Sequence, residues 1–109
     1  MSKEEFYSQV DSSVSGEIKC STAAPAFGCD AGQAIFIALT NPNIDRSVSY
    51  AVYDQVTSHC IDSGSIGKGG SKSVIVPAAD TPHVIRIQNQ SSCDLNKITP
   101  KLSFYAAIQ

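Results

Sequence analysis

The stretch HCIDSGSIGKGGSKSVIVP, residues 59–77, decides the fold class of this chain. Two runs rich in β-branched and small residues flank a glycine cluster at residues 67–70. Apolar runs of this length bounded by turn residues are typical of β-strands, and glycine supplies the positive φ angles of tight turns. We therefore predict two antiparallel strands joined as a β-hairpin at residues 67–70.

The same glycines, together with Lys68, suggest a phosphate-binding loop, but the pattern does not fit one. That motif requires Gly-Lys followed by Ser or Thr and then by a helix. Here Lys68 is followed by Gly69, and the next segment, SVIVP, is β-branched and ends in proline. The sequence therefore predicts no nucleotide site at this position.

Several other segments alternate apolar and polar residues with the period of two that marks a strand. In GEIKCST, residues 16–22, Ile18 and Cys20 would face inward. QAIFIALT, residues 33–40, is apolar on both faces, which indicates a central strand covered on both sides. The alternating segments SVSYAVYD and KLSFYAAI assign these side chains to the core: Val48, Tyr50, Val52, Leu102, Phe104, Ala106 and Ile108.

About seven short strands separated by Gly, Pro and Asn turns predict an all-β fold, an antiparallel β-sandwich of immunoglobulin-like architecture. We expect it to form a single domain over residues 15–109. The chain of 109 residues is long enough for such a core.

The first residues have a different pattern. Ser2 and Glu5 have the spacing of a capping box, and Phe6 and Val10 would lie on one face of a helix. We predict a short helix near residues 3–10, within an N-terminal helical segment that ends at residue 14.

Composition narrows the classes of partner. The formal charge of −2 and the pI near 5.5 argue against nucleic acid and anionic membranes, because both favour a basic surface. No apolar run is long enough to cross a bilayer, and the opening residues lack the apolar core of a signal peptide. We expect a protein or surface ligand as partner, with self-association as an alternative.

The chain has 4 cysteines. An even number in a small domain with few charges favours an oxidising compartment, so we expect an extracellular or similarly oxidising location. Three pairings are possible, and we favour the one in which one disulfide closes a short loop and the other closes a longer loop. The alternative is that all four cysteines are reduced thiols packed in the core. The favoured pairs are Cys20 with Cys29, and Cys60 with Cys93.

Candidate catalytic groups are few. Cys60 follows His59 and lies close to Asp62, which suggests a thiol and its base, but neighbours on a strand point to opposite faces. His83 would have to approach Cys60 from another strand. The sequence contains no C-x-x-C pattern, which is the spacing typical of a zinc site. We predict no catalytic residue, no metal and no cofactor; Asn89 begins a glycosylation pattern, Asn-Gln-Ser, whose use stays open.

Two tyrosines are the best candidates for a binding surface. The period of two directs Tyr53 and Tyr105 outward, and tyrosine combines apolar area with a polar tip. If both strands belong to one sheet, the rings share a patch with Lys101 and Ser103 at its rim. The alternative is that both rings form a second packing layer beneath the N-terminal helix.

These observations leave three functions open. The first is a non-enzymatic binding or interaction module, secreted or surface-associated, because the chain combines few charges with no catalytic set. The second is a structural or virion-type subunit that self-associates through a sheet face or the IFIAL strand. The third is a small hydrolase that uses Cys60 or a serine together with His83.

Overall fold

The computed structural model describes residues 13–93 and 100–109, which form an all-β, sandwich-like fold. The predicted helix at residues 3–10 lies outside the described residues. Within the described residues no helix is long and apolar enough to cross a membrane. The nine strands in these ranges are β1 Ser13–Lys19, β2 Thr22–Ala23, β3 Phe27–Cys29, β4 Ile35–Thr40, β5 Val48–Asp54, β6 His59–Ile66, β7 Ser71–Val76, β8 His83–Asn89 and β9 Lys101–Ile108.

The strands form two antiparallel sheets. The four-stranded sheet has the order β1-β9-β4-β7, and the five-stranded sheet has the order β2-β8-β5-β6 with β3 also paired to β8. In an immunoglobulin domain the first strand neighbours the second. Here β1 pairs with the last strand, β9, as in a double-sheet jelly roll. The antiparallel sandwich-like packing is therefore confirmed, and the immunoglobulin-like connectivity is wrong.

The hairpin predicted at residues 67–70 is also wrong. β6 pairs with β5, whereas β7 pairs with β4 in the other sheet. The glycine segment crosses from one sheet to the other. Its turn is nevertheless tight, because Gly70 N donates to Gly67 O at 2.9 Å and Gly69 has a φ of 69°. Glycine chemistry specifies the turn but does not specify which sheet the following strand joins.

A buried asparagine holds this crossing in place. The Asn41 side-chain amide donates to Ile66 O at 3.0 Å and to Gly67 O at 3.2 Å, on the last residue of β6 and the first of the turn. It also donates to Arg46 O at 2.8 Å, in its own loop. Asn41 N donates to Gly70 O at 2.9 Å. One side chain thus satisfies backbone groups of two connections, as buried polar groups require.

The core lies between the two sheets, and inward-facing side chains alternate with outward-facing ones along each strand. β4 is central in its sheet, as predicted, but the described residues cover it on one face only. Ile35, Ile37 and Leu39 are buried, whereas Phe36 and Ala38 are exposed. The other fully or nearly fully buried apolar side chains include Ile18, Val48, Tyr50, Val52, Val74, Val76, Ile85, Ile87, Leu102 and Ala106.

The disulfide bond connects Cys20 with Cys93, and the predicted pairs are wrong. Cys20 follows β1 and Cys93 follows β8, and their Cα atoms lie 5.3 Å apart. Cys29 is a buried free thiol on β3, and Cys60 is an exposed free thiol on β6. The prediction relied on short sequence separations, whereas the sheet order brings together two cysteines that are 73 residues apart.

Asn89 is 1 % exposed, and its amide is fully used. Its Nδ2 donates to Ile18 O at 2.9 Å and to Pro100 O at 3.1 Å. A glycan on this nitrogen would replace a buried donor that joins β8 to both β1 and the start of β9. The folded chain therefore does not present Asn89 to a glycosylation enzyme.

Candidate functional site

The two candidate tyrosines lie on different sheets. Tyr105 is on β9 of the four-stranded sheet, and Tyr53 is on β5 of the five-stranded sheet. Both point away from the core, but they do so on opposite outer faces of the sandwich. The structure brings Tyr105, Ser103 and Lys101 together on one strand and separates Tyr53 from them. The single patch expected from the sequence is therefore two separate surfaces.

The first surface, called the apolar face here, is the outer side of the four-stranded sheet around Phe36, Ala38, Ile75, Tyr105 and Ala107. Phe36 is opposite Ile75 on one side and Ala107 on the other, and Tyr105 is opposite Ala38. Phe36 is 46 % exposed, Ile75 54 % and Tyr105 51 %. Side chains directly or diagonally opposite across strands are within contact distance, so these residues form one continuous patch.

Polar residues border the apolar face. Ser103 lies opposite Thr40 on one side and Glu17 on the other, and Lys101 lies opposite Lys19. These charges are confined to one end of β1 and β9. At the centre of the face, the Tyr105 phenol is the one ionisable group that the described residues contribute.

The sequence interpretation missed Phe36 and Ile75. The sequence predicts the run IFIAL to be a strand covered on both sides, and SVIV only to be a β-branched strand. The structure covers one side only, so the second apolar set faces solvent. An apolar residue at an outward position of an antiparallel sheet is the signal that identifies this face, but it requires the sheet order to be known.

The second surface, called the Tyr53 groove here, lies on the outer side of the five-stranded sheet. Its lining residues are Tyr53, Asp54, Gln55, Ser58, Arg86 and Gln88, and the Asp54 side chain is directed to the inner side of the sheet. Tyr53 is opposite Arg86, and the Tyr53 hydroxyl accepts from Gln90 Nε2 at 3.3 Å. The turn between β5 and β6 forms one wall, where Ser58 has a φ of 57°. The lining is thus one aromatic ring, one guanidinium, and amide and hydroxyl groups.

Arg86 is held from one side. With the Gln55 amide oriented by its hydrogen bonds, its oxygen accepts from Arg86 Nε at 3.0 Å and from Nη2 at 3.2 Å. Among the described residues no carboxylate forms an ion pair with Arg86. Arg86 could not be identified from the sequence, because a single arginine in an alternating strand carries no signal before its neighbours across the sheet are known.

A buried acid–imidazole pair lies on the inner side of the same sheet. His83 Nδ1 donates to Asp54 Oδ2 at 2.9 Å, and Asp54 Oδ1 accepts from Val56 N at 2.9 Å. The hydrogen bond from His83 holds the pKa of Asp54 below its ordinary value, and the bonds from the turn backbone act in the same direction, against burial. Cys29 is opposite His83 in the β3–β8 register.

This geometry does not provide an activated thiol. Burial raises the pKa of the Cys29 thiol, and a thiol of raised pKa is a poor nucleophile. Cys60 is opposite Tyr53 and therefore lies on the outer side, away from His83. The described residues contain no group of three or more His, Cys, Asp or Glu side chains placed to hold a metal ion.

No protein-family model and no curated protein matches the chain. Among solved structures, a Bacillus endospore appendage protein of disulfide-linked pili has a TM-score of 0.53 at 17% identity, covering 88% of this chain and 81% of that one. The K3 adhesin domain of Lys-gingipain from Porphyromonas gingivalis has a TM-score of 0.54 at 11% identity, covering 80% and 62%. The Drosophila NLP core has 0.59 at 9% identity, covering 91% and 99%. The chain therefore shares its fold with pilus and adhesin domains.

Proposed function

We propose that this protein is a structural subunit of an extracellular or surface assembly and that it self-associates through the apolar face. The observation that carries the proposal is the cluster of Phe36, Ile75 and Tyr105, each about half exposed on neighbouring strands of one sheet. Large apolar side chains grouped on an outer sheet face mark an interaction surface. Of the functions left open by the sequence, this one uses the sheet face and the IFIAL strand.

The distribution of charge favours a second copy as the occupant. In a two-fold contact the same residues meet across the axis, so a charged centre would bring like charges together. The centre of the apolar face contains Phe36, Ala38, Ile75 and Ala107 beside the Tyr105 phenol. A basic or acidic partner would have no complementary charge to recognise there. A second apolar face brings no like charges together and needs no complementary charge.

The magnitude of the effect sets the expected strength. Full burial of a large apolar side chain contributes about 1.5–3 kcal/mol, so covering the exposed half of one such side chain contributes about 1 kcal/mol. Each copy has three of these side chains. Two copies together gain about 6 kcal/mol from these side chains. Association costs on the order of 4–15 kcal/mol in lost freedom of motion. These side chains offset only the lower end of this cost, so assembly through the apolar face is weak, depends on concentration and needs the remaining contacts of the sheet face.

Two further observations agree with this proposal. The Cys20–Cys93 disulfide is compatible with an oxidising, extracellular location. Among the proteins that share the fold, one forms disulfide-linked pili and another is described in terms of pentamer formation. The fold is thus one that assembling proteins also use.

Light scattering after size-exclusion chromatography tests the proposal. Wild-type protein should exceed the monomer mass as its concentration rises from micromolar to millimolar, and Phe36→Ser and Tyr105→Ser should remain monomeric. The matched control is Val56→Ser, which removes an apolar side chain that is 62 % exposed on a distant turn. It should assemble as the wild type does, because Val56 lies outside the apolar face.

Two results would reject self-association. One is a wild-type monomer over the whole concentration range. The other is a strong loss of thermal stability, in monomeric samples, for both Tyr105→Ser and a Phe6→Ala, Val10→Ala double variant. That second result would mean that the N-terminal segment of the same chain covers the apolar face, as the alternative interpretation of the sequence holds.

A further inference from the structure

The Tyr53 ring lies along β5 on the outer face of the sheet. Its Cα is opposite Arg86, but its hydroxyl accepts from Gln90, which bonds to the backbone at Ser49 further along β5. The outward-facing residue between these positions is Ala51, which is opposite Gln88. Ala51 is 0 % exposed although it faces outward, which agrees with a ring lying over it. Tyr53 itself is partly exposed and lines the groove.

Arg86 presents a free pair of donors beside this ring. Gln55 occupies the edge of the guanidinium formed by Nε and Nη2. The adjoining edge, formed by Nη1 and the second hydrogen of Nη2, has no hydrogen-bond partner among residues 13–93 and 100–109. Two parallel N–H groups on one edge match the two oxygens of a carboxylate. The Gln55 contact also fixes the plane of the guanidinium, which reduces the entropy lost when a carboxylate binds.

The electrostatics of the Tyr53 groove favour an anion. Asp54 is the one acid among the lining residues, and both of its oxygens are bonded, one to His83 and the other to Val56 N. These bonds hold the Asp54 carboxylate on the inner side of the sheet, so Arg86 is the charged side chain on the outer side of the groove. Gln88 and Ser58 add neutral donors and acceptors around it.

We propose that the Tyr53 groove binds a carboxylate-bearing sugar, a uronate residue of an acidic polysaccharide. A pyranose ring has an apolar face of C–H groups that can stack on an aromatic ring, and its hydroxyl groups pair with side-chain amides. The uronate carboxylate lies at the edge of the same ring, where Arg86 would receive it while Tyr53 supports the sugar. Gln88 and Gln90 then bond to the hydroxyl groups. This site lies on the sheet opposite the apolar face, so it does not depend on self-association.

Titration with trigalacturonate, followed by NMR shifts or calorimetry, tests the proposal on the full chain. Arg86→Gln should weaken binding at least about tenfold, as expected for losing hydrogen bonds to a charged group, and Tyr53→Ala should weaken it comparably. The control is Lys101→Gln, which removes the same charge on the opposite outer face and should bind as the wild type does.

A matched ligand keeps the test valid even if a variant fails to fold. Wild-type protein should bind the neutral methyl ester of trigalacturonate about tenfold more weakly than it binds the acid. Arg86→Gln should bind the ester and the acid with equal affinity, because the group that distinguishes them is gone. Equal binding of ester and acid by the wild type would remove the role of Arg86. Binding of acetate as tight as that of trigalacturonate would show a simple anion site, and no shift at about 10 mM ligand would reject the site.

Discussion

Asp54 connects three parts of the five-stranded sheet. It ends β5, its Oδ1 accepts from Val56 N in the following turn, and its Oδ2 accepts from His83 at the start of β8. These bonds favour the ionised carboxylate, so the hydrogen bond from His83 in particular lowers the pKa of Asp54 in the folded chain. In the unfolded chain the pKa of an aspartate is about 3.9.

The sign of the resulting pH dependence follows from linkage. Because the folded pKa is the lower one, the contribution to stability is complete above the unfolded pKa and is lost as the pH falls through the folded value. We expect the free energy of unfolding of wild-type protein to decrease more steeply than that of Asp54→Asn as the pH falls below about 5. Urea unfolding at several pH values measures both slopes. Parallel slopes in the two proteins would contradict this role of Asp54.

At the scale of strands, the direction of side chains could be predicted and their partners could not. The period of two correctly directed Ile18 and Leu102 inward and Tyr105 outward, because alternation is a local property of extended backbone. The pairing of β7 with β4 is not local, because the whole β5–β6 hairpin lies between these strands in the sequence. Both possible connections of residues 67–70, within a sheet or between sheets, need the same glycines.

The same limit explains what the sequence revealed of the site. Tyr53 and Tyr105 could be selected, because each faces outward on its own strand. Phe36, Ile75 and Arg86 could not, because their roles depend on neighbours contributed by strands distant in sequence. The apolar face and the Tyr53 groove exist only once the sheet order is fixed.

The turn between β6 and β7 allows a prediction about the left-handed backbone conformation of Gly69. Gly69 has a φ of 69° with open space around its Cβ position, so a side chain there is strained but does not collide. Gly69→Ala should lower the free energy of unfolding by about 1 kcal/mol, and Gly69→Asn should cost less, since asparagine tolerates left-handed backbone.

The control for this prediction is in the same turn. Gly67 also has open space around its Cβ position but no positive φ, so Gly67→Ala should be close to neutral. Chemical denaturation of the three variants gives the comparison. Equal costs for Gly67→Ala and Gly69→Ala would mean that the left-handed conformation at Gly69 does not determine stability.

At the scale of the whole molecule, the disulfide links the two sheets. Cys20 extends β1 of the four-stranded sheet, and Cys93 follows β8 of the five-stranded sheet. Closing so long a loop restricts the unfolded chain strongly, and the chain-entropy relation gives a contribution of about 4 kcal/mol. Loss of this bond should therefore lower stability more than any surface substitution considered above.

The different environments of the four cysteines make this prediction measurable by mass spectrometry. The intact mass of non-reduced protein should lie about 2 Da below the all-thiol value, because one disulfide forms. An alkylating reagent should label Cys60 in the native protein, because its thiol is exposed, and should label Cys29 only after denaturation. Cys60→Ser should abolish native labelling without changing stability, whereas Cys20→Ser should lose about 4 kcal/mol. A mass about 4 Da below the all-thiol value, with no native labelling, would contradict the free thiol at Cys60 and restore the two-disulfide arrangement.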